Sequence, residues 1–391
     1  MKKIGLLPRL IIGLISGIII GYLSSIAGME WPVRLLATFN GIFGNFLNYI
    51  IPFIIIAFVA PGIADLGKGA GKLLGITTGL AYGSTVIAGL LAFFAGSLLL
   101  PGIVSGGTAA ADPGEALLTG FIVIEIPAMM GVMTALVTAF VLGLGMAAIE
   151  KKSLLGVMKD FQSIIEKVIS TVIIPLLPIH IGGIFANMTF AGEVVRTMAV
   201  FGQVFAIVIA LHIIYILIQY FTAGSISGKN PIKSLKNMIP AYLTAIGTQS
   251  SAATIPVTLA STKKNKVSDE VADFAVPLCA TIHLSGSTIT LTMCAMAVMF
   301  IGGVTPAFSA MFPFILMLGV TMVAAPGVPG GAVMAALGLL TTMLGFTEAQ
   351  TALMIGLYLT QDSFGTACNI TGDGAIAMVV DRFAKGNNTS K

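Results

Sequence analysis

Residues 361–373 read Gln361-Asp362-Ser363-Phe364-Gly365-Thr366-Ala367-Cys368-Asn369-Ile370-Thr371-Gly372-Asp373, between apolar flanks that run from Leu353 to Leu359 and from Ala375 to Val380. An acidic side chain at the centre of a bilayer costs about 2.5–3.5 kcal/mol on insertion scales, so acids there face a partner. Asp362 and Asp373 lie eleven residues apart, close to three helical turns, and Thr366 and Asn369 fall on the same face. No lysine or arginine falls in the central part of any apolar span. The counter-charge must therefore come from a bound ion, a proton or a cationic group on a substrate. Carboxylate, amide and freed carbonyl oxygens are hard ligands that suit an alkali cation better than a transition metal.

Around that stretch the chain is a lipid-facing sequence. Of its 391 residues 57% are hydrophobic and 9% charged, and the mean hydropathy is +1.02, against about 25% charged residues in soluble domains. Apolar runs long enough for a hydrocarbon layer of about 30 Å recur from Leu10 to Ile26, Leu74 to Leu100 and Val200 to Tyr220. The first is too long for a signal-peptide core and reads as a retained helix. Cys279, Cys294 and Cys368 sit in apolar segments without metal-binding spacing and read as core thiols. The net charge of +4 is spread over short loops, so no nucleic-acid partner is expected.

Hydropathy places spans near 5–27, 35–64, 73–103, 117–149, 160–190, 197–223, 269–303 and 347–380. The basic clusters Lys2/Lys3/Arg9, Lys68/Lys72, Lys151/Lys152/Lys159, Lys229/Lys233/Lys236, Lys263/Lys264/Lys266 and Arg382/Lys385 then share one side, with only Arg34 and Arg196 on the other. By the positive-inside rule both termini are cytoplasmic in a multi-pass protein of the cell membrane. Segments 232–262 and 305–345 do not change side. The first carries Thr248, Gln249, Ser250, Ser251 and Thr254 in its middle, and the second the run Ala325-Pro326-Gly327-Val328-Pro329-Gly330-Gly331. Each reads as a re-entrant helical hairpin whose tip is tolerated only inside protein or beside a wet cavity. A hairpin from one side and a polar-interrupted span, then a hairpin from the other side and a second such span, is the pattern of an inverted repeat. The expected fold is an all-α polytopic membrane protein of eight transmembrane helices and two hairpins, and the expected class is a carrier.

Span 269–303 contains Thr281-Ile282-His283-Leu284-Ser285-Gly286-Ser287-Thr288, which reads as an unwound, cavity-lining turn. His180 and His212 have no evident acid or cysteine partner in their spans and read as structural. No activated nucleophile or phosphate-binding loop appears, so neither an enzyme nor an ATP-driven pump is expected. Two hairpin tips with buried acids favour an occluding carrier over a channel. Glu125 and Glu166 read as interfacial or helix-contact residues, and Pro52 and Pro175 as helix kinks.

The runs Thr248-Gln249-Ser250-Ser251-Ala252-Ala253-Thr254-Ile255-Pro256-Val257-Thr258, Gly327-Val328-Pro329-Gly330 and Asn369-Ile370-Thr371-Gly372-Asp373, in that order, resemble the dicarboxylate/amino acid:cation symporters, over nearly the whole chain. The resemblance implies a homotrimer of elevator-type transporters. It assigns 1–70 and 117–196 to a fixed scaffold, and 71–116 and 197–391 to a moving transport domain. It implies that Gln249, Ser250 and Ser251 with Gly327 and Val328 enclose a substrate carboxylate, and that Asp362, with Ser287, Gly365, Thr366 and Asn369 nearby, receives an amino group. It further implies a sodium ion on Asp373 and the carbonyls of Cys279, His283 and Asn369. A second sodium would sit on the carbonyls of Thr281, Ala324 and Ala325.

Three departures refine that expectation. Gly365 stands where acidic amino acid carriers place an arginine, and Gln249 where many members have one. Without either, a second substrate carboxylate would be unpaired in a dry pocket. The expected cargo is a small neutral amino acid such as serine or threonine, most like the sodium/serine-threonine branch, with a dicarboxylate or acidic amino acid as runner-up. His283-Leu284-Ser285-Gly286-Ser287 replaces the family's Asn-Met-Asp-Gly-Thr, which argues against a third sodium site. Because imidazole titrates near pH 6.5, His283 also opens proton coupling as an alternative to sodium.

Overall fold

A computed structural model describes residues 6–66, 72–104, 117–149, 153–192, 194–323, 325 and 330–388. With no water in a bilayer to satisfy backbone amides, apolar spans become helices, and among the described residues the chain has helices and no strand. The order is α1 Leu6–Ala27, α2 Trp31–Leu66, α3 Lys72–Val104, α4 Val132–Ala148, α5 Ser153–Val168, α6 Ile174–Phe190, α7 Val194–Ser227, α8 Pro231–Thr248, α9 Ser251–Lys264, α10 Asp269–Ile282, α11 Ser285–Ile301, α12 Phe308–Val323, α13 Gly331–Leu344 and α14 Glu348–Asn388. A π turn at Ile169–Ile173 joins α5 to α6 just before Pro175. The wider turn accommodates a ring that lacks an N–H and would clash with the preceding turn. Among the described residues, five helical stretches are long and apolar enough to cross a membrane: Trp31–Pro61, Leu73–Val104, Ser153–Phe190, Met198–Ser227 and Asp269–Ile301. Helix α14 has 41 residues, about 60 Å at 1.5 Å per residue, but a polar centre.

One expected span is corrected. Only Val132–Ala148 of the span at 117–149 is helical, and 117–131 has no regular structure. β-Branched residues at 122–124, Pro127 and Gly131 disfavour a helix there. Neighbouring side chains hold the strip instead. Asn187 Oδ1 accepts from Leu118 N at 2.9 Å and its Nδ2 donates to Leu118 O at 2.8 Å. Thr38 Oγ1 accepts from Phe121 N at 2.8 Å, and Asn45 Nδ2 donates to Ile124 O at 2.7 Å.

The helices pack in two sets. Helices α1, α2, α4, α5 and α6 contact one another, with α1 on α6 and α2 on α4 the closest pairs. Helix α14 lies centrally in the other set, against α7, α8, α9, α10 and α11, with α3 on α11. Between the sets the contacts are sparser and run mainly through α13 on α2 and α14 on α6. The pair α8–α9 packs against itself around a turn at Gln249 and Ser250. Gln249 closes α8 in the left-handed region at φ 52°, uncommon for a side-chain-bearing residue. Ser250 then caps α9 by accepting from Ala253 N at 3.3 Å. The expected break in span 269–303 is present: α10 stops at Ile282 and α11 starts at Ser285, leaving His283 extended at φ −110°, ψ 96°.

Candidate functional site

Helix α14 brings Asp362, Thr366, Asn369 and Asp373 to the interior, where all four are at most 5% exposed. Asp362 Oδ2 accepts from the backbone N–H of Gly330 at 2.7 Å. Gly330 is the N-cap of α13 at φ 76°, so the carboxylate faces the positive end of a helix dipole. Asn369 pins the broken helix. Its Oδ1 accepts from Gly286 N at 2.7 Å and Ser287 N at 3.3 Å, while its Nδ2 donates to Ser287 Oγ at 3.0 Å. These bonds satisfy amides at the start of α11 that have no partner within the helix. Glycine is required at the crossing, because a Cβ on Gly286 would lie 2.4 Å from Gly365 O and 2.5 Å from Cys368 Cβ. A Cβ on Gly365 would meet nothing nearer than 3.5 Å.

Asp373 has a different partner. Its Oδ1 lies 2.9 Å from His283 Nδ1, both side chains being fully buried, and a carboxylate only accepts, so Nδ1 carries the hydrogen. On the other side of the ring, Nε2 lies 3.0 Å from Ser84 Oγ and 3.3 Å from Gln219 Nε2. Ser84 is in turn bonded to Tyr215. Ser84, His283 and Asp373 thus line up in the order of a hydrolytic triad, with Ser84 half-buried and the other two side chains fully buried.

Of the residues singled out from the sequence, the structure gathers Ser287, Gly365 and Asn369 at one crossing and His283 with Asp373 at another. Gly327, Val328 and Ala324 lie outside the described residues. Ala325 is buried, and Thr281 is exposed at the last turn of α10, its hydroxyl donating to Leu278 O. Cys279 contributes its carbonyl to His283 N at 2.8 Å. Ser84, Tyr215, Gln219 and His212 were not singled out as site residues. His212 Nε2 donates to Gly286 O at 3.0 Å and lies 3.1 Å from Thr290 Oγ1. His212, Tyr215 and Gln219 recur at three and four residues along α7, a polar stripe in an apolar helix, and that spacing is the signal that would have found them.

A model of the sodium:dicarboxylate symporter family matches residues 6–383. The chain belongs to the sodium:dicarboxylate symporter family. Over 405 aligned positions it is 26% identical to the serine/threonine transporter SstT of Acinetobacter baumannii strain ATCC 17978, covering 99% of each chain. The protein of the same name from strain AYE is likewise 26% identical. An excitatory amino acid transporter of Caenorhabditis elegans is 24% identical over 271 positions, spanning 67% of this chain and 53% of that protein. Membership makes the chain an integral membrane carrier and not an enzyme, and sodium-coupled symport is the general activity of the sodium:dicarboxylate symporter family.

Proposed function

We propose that this chain is a secondary active symporter that couples cation influx, chiefly sodium, to uptake of a small neutral amino acid such as serine or threonine. One observation carries the reading: Asp362 is buried in the middle of α14 against the N-terminus of α13, and no lysine or arginine is among the buried described residues. An ammonium group is the substrate feature such a carboxylate accepts, and a second substrate carboxylate would find no basic partner. The relatives named serine/threonine transporter support the same choice. Ser250, Ser251 and the second hairpin tip are assigned to the substrate carboxylate. Thr366 and Asn369, with Ser287, are assigned to the wall beside Asp362. The end of α10 at Thr281, with Ala325, is assigned to a cation, since the last carbonyls of a helix lack intrahelical partners and carry the negative end of its dipole.

Eight spans and two re-entrant hairpins are assigned, with 1–70 and 117–196 as scaffold and 71–116 and 197–391 as the moving domain. The two packing sets of helices support that division. The strip at 117–131 exposes Phe121, Ile122 and Val123 on a non-helical backbone, and such a backbone needs protein cover rather than lipid. That supports the homotrimer.

The test is competition binding to the purified protein by serine, threonine, alanine, aspartate and succinate, for the native chain, Asp362→Asn and Gly365→Arg. Neutral amino acids should bind the native chain, and Asp362→Asn should lose at least about tenfold in affinity, the 1.4 kcal/mol scale of one weakened charged contact. Gly365→Arg should gain competition by aspartate. Binding of succinate but not serine by the native chain would overturn the proposal in favour of a dicarboxylate carrier.

A further inference from the structure

A buried carboxylate in a sodium symporter is the expected seat of a co-transported ion, yet the surroundings of Asp373 are furnished for an imidazole. His283 leaves the break between α10 and α11 in extended conformation, and its ring reaches α14. Room has been made for it there: a Cβ on Gly372 would lie 2.6 Å from His283 Cε1 and 2.7 Å from Gln219 Oε1. The ring's far nitrogen is held from two further helices, by Ser84 on α3 and Gln219 on α7. A side chain fixed at both nitrogens and packed against glycine is a permanent part of the site.

The consequence for a cation is a shortage of oxygen. Sodium keeps its ligands only where several oxygens replace its hydration shell together, as for other hard cations. Asp373 Oδ1 is taken by the imidazole. The carbonyl of Cys279 accepts from His283 N, that of Asn369 lies inside the continuous helix α14, where backbone carbonyls accept from the amide four residues on, and Asn369 Oδ1 accepts from two amides of α11. Asp373 Oδ2 is buried with no hydrogen-bond partner, and with the carbonyl of His283 at the helix break it makes two oxygens, too few for an alkali-ion cage.

We infer that His283 determines the ion stoichiometry of this carrier by withdrawing Asp373 from its sodium ligands. The imidazole is the built-in partner of that carboxylate throughout the transport cycle, and the chain moves its substrate with one sodium ion fewer than it would with a short side chain at position 283. The inference rests on the proposed symport but needs no change of protonation at His283.

Sodium binding to the detergent-purified protein, read as the rise in Tm on replacing choline chloride by sodium chloride at constant ionic strength, tests it for native, His283→Asn and His283→Gln. The shorter asparagine should retreat from Oδ1 and lower the half-saturating sodium concentration by at least about tenfold, the scale on which a metal site responds to the partners of its ligands, and steepen the titration. The longer glutamine, able to reach Asp373, should stay near native. A gain in His283→Asn alone, with no response from the native chain, would support this inference while removing sodium from the native mechanism. Equal sodium affinity in native and His283→Asn, or a loss in the variant, would overturn it. Should the variants not fold, ¹⁵N-histidine spectra of the native protein decide. The Nδ1–H signal of His283 should persist at saturating sodium, and its loss on sodium addition would overturn the inference.

Discussion

The contrast between two glycines at the α11–α14 crossing follows from a tenth of a nanometre. A methyl group on Gly286 would drive into the carbonyl of Gly365, whereas one on Gly365 meets ordinary van der Waals contacts. Gly286→Ala should therefore destabilise the protein by about 1–3 kcal/mol, the usual cost of overpacking, and abolish substrate binding, while Gly365→Ala should keep both. Thermal melts and equilibrium binding check the pair. The acids of the site were legible as residues, because carboxylates in an apolar run are rare. Their partners were not. The resemblance places His283 near Asp373 through its backbone carbonyl alone, and the bond between imidazole and carboxylate across 90 positions leaves no mark in the sequence. Gly330 could not be paired with Asp362 from the sequence either, since a backbone N–H leaves no mark in it.

Elements show the same division between local signals and long-range ones. Periodic apolar runs, the polar residues at 248–251 and the polar stretch around the break at 283–284 are local, so the helices, the α8–α9 turn and the unwound point could be read directly. The span at 117–149 departs from its apolar pattern because apolar content alone does not specify a helix, and the backbone of 117–131 is held by Asn45, Asn187 and Thr38 from other elements. Asn187→Ala should release both Leu118 groups and cost about 1–3 kcal/mol for each left unsatisfied, visible as a lower Tm. Between α1 and α6 the contact is set by Gly13, Gly17 and Gly21, a four-residue spacing that lets backbones touch. A Cβ on Gly17 would lie 2.0 Å from Gly182 O. Gly17→Leu should separate the two helices and prevent the protein from purifying as a folded species, as monitored by size-exclusion chromatography in detergent.

At the scale of the whole molecule, the two packing sets touch chiefly through α13 on α2 and α14 on α6, a seam narrow beside the contacts within each set. On the proposed division into scaffold and moving domain, such a seam is where one body slides against the other, and both Asp362 and Asp373 lie in the same set as the broken helix and the α8–α9 hairpin. A carrier of this design needs a cation gradient and saturates with its substrate. The most direct test is radiolabelled serine uptake into proteoliposomes under an inward sodium gradient, against choline and against an inward proton gradient, for the native chain and Asp362→Asn. Saturable, sodium-dependent accumulation that Asp362→Asn abolishes is the predicted result. Serine uptake that needs no sodium, or none at all beside robust succinate or aspartate uptake, would contradict the account.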